Sequence, residues 1–146
     1  MSYSISVHRV EDEPPPVPFP VGQNDEAGWR AFDAWMEEMR KISTYWPLGG
    51  DHAVYRFWSS IACELGLPML TGLYNNGLVA ETYEQLSQLE QELDALQTYW
   101  DTHELREPDP RSGIHGRERE YLNEHMGYLR QAIEQAKATG AKLTVS

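Results

Sequence analysis

The chain has 146 residues, 40% of them hydrophobic, with five Trp and eight Tyr, and a formal net charge of −11. That length and composition describe one globular domain able to bury a core without a structural metal, and they exclude a disordered chain. A single cysteine, Cys63, excludes an intramolecular disulfide.

In chain order, "SYSISVHRV" alternates Tyr3, Ile5 and Val7 against Ser4, Ser6 and His8, so a strand with one buried face is expected over 2–10. The opening residues lack the basic and apolar regions of a signal peptide. "EDEPPPVPFPVG" follows; its prolines fix φ and remove donors, giving an extended surface connector over 11–22 packed by Phe19. The first helix is expected over about 25–41, where acids in the opening turn suit the dipole and Trp29, Phe32, Met36 and Met39 recur at helical spacing. "YWPLGGD" breaks it. Asp51 then caps a helix over 52–65 in which Val54, Phe57, Trp58, Ile61 and Leu65 share a face, and Gly66 and Pro68 stop it. Cys63 falls opposite that stripe with no base nearby, which describes an inert thiol.

"LGLPMLTGLYNNGLVA", Leu65 to Ala80, is sixteen residues without a charge. Leu67, Met69, Leu70, Leu73 and Leu78 are too many apolar side chains for a free loop and are expected to pack where two helices meet. Tyr74, Asn75 and Asn76 are left for the rim, and "NNG" tolerates a tight turn. The longest helix is expected over 78–102, with a seam of Val79, Leu86, Leu89, Leu93, Leu96 and Trp100 and an opposite row of Glu81, Glu84, Gln88 and Glu92 closed by Tyr99. "THELREPDPRSGIHG" is a long polar loop of the functional or mobile kind. A last helix over 117–139 aligns Leu122, Met126, Leu129, Ile133 and Ala136, and "AKLTVS" supplies a closing strand over 141–145. The fold class expected is α+β, mostly helical: about four helices on a small sheet made by the N- and C-terminal strands, in one domain over 1–146.

Catalytic motifs are missing. There is no phosphate loop, nucleophile elbow or HExxH. Glu118 and His125 share a helix face and His115 can fold back toward them, but Arg117 and Arg119 sit among these residues and a zinc needs three or four converging ligands. No metal, cofactor or catalytic residue is therefore expected. From Arg56 to Arg106 no Lys or Arg intervenes, while eight acids do. Such a block repels nucleic acid and anionic lipid and attracts a cationic partner, or else merely solvates a helix face.

Three stretches, "MSYSISV", "FWSSIACELGLPML" and "LRQAIEQAKATGAKLTVS", together form a layout that resembles small cytoplasmic immunity proteins of bacterial polymorphic-toxin and type VI secretion systems. The resemblance implies a non-enzymatic inhibitor that covers the active site of one cognate toxin. The toxin surface would be basic, and the candidate contacts are Tyr74, Asn75, Asn76, Glu81, Glu84, Gln88, Glu92 and Tyr99. Two alternatives stand beside it: a small enzyme or ligand-binding domain with a pocket near His115, Glu118 and His125, and an adaptor or chaperone for a secreted effector.

Overall fold

A computed structural model describes residues 2–146. Its centre is a four-stranded antiparallel sheet in the order β2-β1-β4-β3. The terminal strands β1 (Ser2–His8) and β4 (Lys142–Val145) pair as expected, with Ile5 opposite Val145 and Val7 opposite Leu143. Alternation puts Ile5, Val7, Leu143 and Val145 on the buried face. The first strand ends at His8 rather than residue 10; a single 3-10 turn, Val10–Asp12, leads into the connector, and Glu13 turns back to bond the His8 ring at 2.7 Å.

Two strands depart from the sequence reading. "TYWPLGG" does more than break a helix: Thr44–Gly50 is β2, paired with β1 across a bulge between Tyr3 and Ser4. Pro47 is tolerated because β2 is an edge strand, where a missing N–H costs no ladder bond. Leu78–Ala80 is β3, not the start of a helix, and it pairs with β4 as the opposite edge. Gly77 makes that approach possible. Its φ is +68°, and a Cβ there would lie 2.6 Å from the Val145 carbonyl oxygen.

Six helices accompany the sheet among the described residues. Helix α1 (Glu26–Ile42) is capped by Asp25, which accepts from the Gly28 amide at 3.0 Å. Helix α2 (51–65) carries a π-helical turn, Val54–Ser59, between Asp51–Ala53 and Ser60–Leu65, and ends at Gly66 in the left-handed conformation. Two short helices, α3 (Pro68–Thr71) and α4 (Leu73–Asn76), complete the uncharged stretch. Helix α5 (Tyr83–Thr102) opens with a capping box between Thr82 and Gln85. Helix α6 (Glu118–Thr139) ends at Gly140.

Helices α5 and α6 pack on each other, and α6 crosses the sheet over β1 and β2. The core joins Leu86, Leu89, Leu93, Leu96 and Trp100 to Leu122, Met126, Leu129 and Ile133. Trp58 of α2 meets Trp100 edge to face at 5.0 Å, and the Trp100 indole donates to the Phe57 carbonyl at 3.0 Å. Leu70, Leu73 and Leu78 are buried as the uncharged stretch requires, while Leu67 and Met69 are only partly covered.

Helix α1 stands apart from the core. It forms where its periodicity places it, yet none of its side chains is buried. Its aromatic stripe packs instead on the connector: Phe19 lies 5.7 Å from Trp29 and 5.3 Å from Phe32, and Phe32 stacks on Trp35 at 6.1 Å. Phe19 itself remains 70% exposed. The stripe is real, but the core does not cover it.

Candidate functional site

The residues singled out along α5 do not form one exposed acidic face. Glu92 is 4% exposed. Its carboxylate accepts the backbone N–H of Leu70 at 3.0 Å and of Met69 at 3.3 Å, and the Gln88 side-chain amide at 3.0 Å. These are N–H groups in the first turn of α3, which no earlier helical carbonyl can satisfy, so Glu92 holds the uncharged stretch onto α5. A partner cannot reach it.

The other acids are partly neutralised by bases far away in sequence. Glu81 pairs with Lys142 at 3.7 Å, Asp94 with Arg130 at 2.9 Å, Asp101 with Arg119 at 3.9 Å, and Glu90 with Lys137. Glu84 is exposed and carries no ion pair among the described residues. Gln88 is exposed beside Glu92, and Tyr99 is half-buried, stacked on His103 at 3.7 Å.

Tyr74 is likewise half-buried rather than held outward. Its ring lies 4.9 Å from that of Tyr55, its N–H donates to the Ser59 hydroxyl at 3.0 Å, and its carbonyl accepts the Tyr3 hydroxyl. Asn75 and Asn76 are exposed. Tyr74 and Asn75 line a small cleft of about 250 Å³ with Tyr55, Ser59, Cys63 and Thr71. Cys63 is exposed, as its place opposite the stripe requires.

The "THELREPDPRSGIHG" loop is tethered. Glu107 is buried; its carbonyl bonds the His115 ring at 2.7 Å, and its N–H donates to the Glu118 carboxylate at 3.2 Å. Burial of Glu118 acts to raise its pKa. The backbone N–H groups of Glu118, Glu107 and Gly116 and the nearby His115 outweigh it and hold the carboxyl below its ordinary value. His115 and Glu118 thus meet around Glu107 as a loop anchor. His125 opens on a different cleft. Among the described residues, no three His, Cys, Asp or Glu side chains are grouped to hold a metal ion.

That second cleft, about 500 Å³, is lined by Tyr3, Tyr45, Trp46 and Pro47 from the β1–β2 pair and by Tyr121 and His125 from α6. Gly49 shapes its floor: its φ is +148°, and a Cβ there would lie 3.1 Å from the Tyr121 hydroxyl. Sequence alone does not bring these aromatics together, because their convergence depends on β2, where Pro47, Gly49 and Gly50 read as a break.

No protein-family model matches the chain, and neither does any curated protein or any solved structure. No helix among the described residues is long and apolar enough to cross a membrane.

Proposed function

We propose that this chain is a cytoplasmic, non-enzymatic immunity protein that binds one bacterial toxin domain and covers its active site. The observation that carries the reading is the stripe of α1, which lies outside the core and is only half-covered. Trp29, Phe32, Trp35, Met36 and Met39 share one side of a capped helix, and none is buried. Helices with a strong apolar stripe ordinarily bury it in a core, and a stripe left half-covered beside the exposed Phe19 is apolar surface of the kind that serves interaction. Aromatics and Met are also the side chains enriched at interface cores.

The partner that fits is a basic protein with an apolar groove. Along α1 the acids Glu26, Asp33, Glu37 and Glu38 are nearly balanced by Arg30, Arg40 and Lys41, with Glu37 paired to Arg40 and Glu38 to Lys41, so the preference for a basic partner comes from the net charge of −11 over the whole chain. This moves the proposed anchor from Tyr74, Asn75, Asn76 and the α5 row to α1, leaving Glu81 and Glu84 as contributors to the field and the uncharged Gln88 and Tyr99 outside the proposed contact.

The test is co-expression with the product of the adjacent open reading frame, scored for rescue of growth and for co-purification. The wild-type chain should protect, and Phe32→Asp with Trp35→Asp should abolish protection while circular dichroism and melting stay close to wild type. Protection by the folded double variant would place the interface elsewhere. Failure of the wild-type chain to protect or co-purify would overturn the reading.

A further inference from the structure

We propose that the cleft between the β1–β2 pair and α6 is a binding site for a small, uncharged, planar heteroaromatic molecule carrying an N–H donor. This site is independent of the α1 interface and stands or falls separately from it.

Size comes first. A cleft of about 500 Å³ lies within the range of small-molecule pockets, roughly 300–1,000 Å³. Its chemistry is next. Tyr3 and Trp46 share the inner face of the sheet: Trp46 pairs directly with Ile5, and Tyr3 lies two residues from Ile5. Tyr121 and His125 stand one turn apart on α6, their rings 4.2 Å apart. Tyr45, half exposed, adds a fifth ring to the lining. No Lys, Arg, Asp or Glu lines the cleft, so no permanent charge stands there to offset the desolvation of a phosphate, a carboxylate or an ammonium. Flat rings suit flat rings.

One polar atom gives direction. His125 is 8% exposed, and its Nδ1 lies 2.7 Å from the Tyr121 carbonyl oxygen. That carbonyl can only accept, so Nδ1 carries a proton, and when the ring holds a single proton Nε2 is an acceptor. Nε2 has no partner among the described residues, although it belongs to a side chain more than nine-tenths buried on the cleft wall. Nε2 is not sealed from solvent, so it is free to accept the N–H of a ligand that enters the cleft. The fold also keeps the space open. Any side chain at Gly49 would press on the Tyr121 hydroxyl, and Pro47 prevents a further strand from pairing fully along this edge.

The probes are indole, N-methylindole, indole-3-acetamide and indole-3-acetate, titrated into the full chain. Binding is followed by the His125 Cε1–H resonance and by tryptophan fluorescence wherever the probe does not interfere. Indole should bind about threefold to tenfold more tightly than N-methylindole, the range expected for one hydrogen bond. Indole-3-acetamide should bind more tightly than indole-3-acetate. His125→Phe, which keeps the ring and removes the acceptor, should erase the preference for indole over N-methylindole. Tyr45→Ala, at an exposed position that burdens the fold little, should weaken every probe and keeps the test open if His125→Phe fails to fold. Three results would each overturn the proposal: no saturable shift of the His125 resonance up to the solubility limit, equal binding of indole and N-methylindole to wild type, or tighter binding of the carboxylate.

Discussion

The carboxylate of Glu92 closes the first turn of α3 from outside that helix, accepting two backbone N–H groups and one side-chain amide. Hydrogen bonds to a charged acceptor contribute more than neutral ones, and a buried donor left unpaired costs its full desolvation. Glu92→Gln keeps the shape but loses the charge, and its amide NH₂ must face at least one donor. It should lower stability by about 1–3 kcal/mol, read as a shift of the urea midpoint at constant slope. Glu84→Gln, on the same helix but exposed, should change the midpoint by less than about 0.5 kcal/mol. Glu118 gives a pH signature. Its carboxyl is held below the ordinary carboxylate value despite burial, by three backbone N–H groups and His115. A depressed carboxyl contributes stability that is fully present above its unfolded pKa and is lost as pH falls through the folded one. The melting temperature of wild type should therefore fall as pH drops through and below the ordinary carboxylate range, and Glu118→Gln should flatten that fall. An unchanged slope in the variant would show that Glu118 carries no such linkage.

Helices α1 and α5 contrast how a stripe is used. Leu93 of α5 is fully buried, so Leu93→Ala leaves a cavity and should cost about 2–5 kcal/mol. Phe32 and Met36 of α1 are only half-covered, so Phe32→Ala and Met36→Ala should each cost about 1 kcal/mol or less by the same denaturant measurement. Equal costs in the two helices would mean that α1 belongs to the core after all. The contrast also marks what local sequence can tell. Periodicity located α1, α5, α6 and the terminal strands because each pattern is written within its own segment. It carried no information about which stripe is covered. Strand β2 was hidden because Pro47, Gly49 and Gly50 signal a break, and only pairing with β1, some forty residues earlier, makes an edge strand of them. Strand β3 is three residues long, too short to show a period, and Val79 and Leu78 fitted the helical seam equally well. Glu92 misled for a similar reason. A helical wheel puts it on the polar side, but the donors that bury it belong to Met69 and Leu70, more than twenty residues away. The cleft around His125 needs β2 as one wall and was out of reach for the same cause.

Over the whole molecule, charge acts at two ranges that must be kept apart. Bases on α6 pair with Glu90, Asp94 and Asp101 of α5, so the local acidic row is much weaker than the stretch from Arg56 to Arg106 suggests. Exposed pairs of this kind contribute about 0–1 kcal/mol each, and they bind the two helices more than they present a field. The net charge of −11 survives this pairing, because ion pairs cancel locally and leave the sum unchanged. A basic partner farther away than the spacing of these pairs but still within a Debye length, about 10 Å at 0.1 M salt and longer at lower salt, responds to that sum and not to any one pair. For the partner proposed above, association should therefore slow steeply between about 20 and about 300 mM salt, while dissociation, set by the apolar contacts of α1, should change little. Glu84→Lys with Glu104→Lys takes the net charge from −11 to −7 at two exposed positions that make no ion pair among the described residues. Stopped-flow measurement at low salt should show association slowed by about threefold to tenfold, and dissociation within about twofold of wild type. If the two reversals speed dissociation instead, the acids of α5 lie within the contact and α1 shares the interface with them. If association depends on neither salt nor the reversals, long-range attraction has no part in recognition, and the half-covered stripe of α1 must find its partner by diffusion alone.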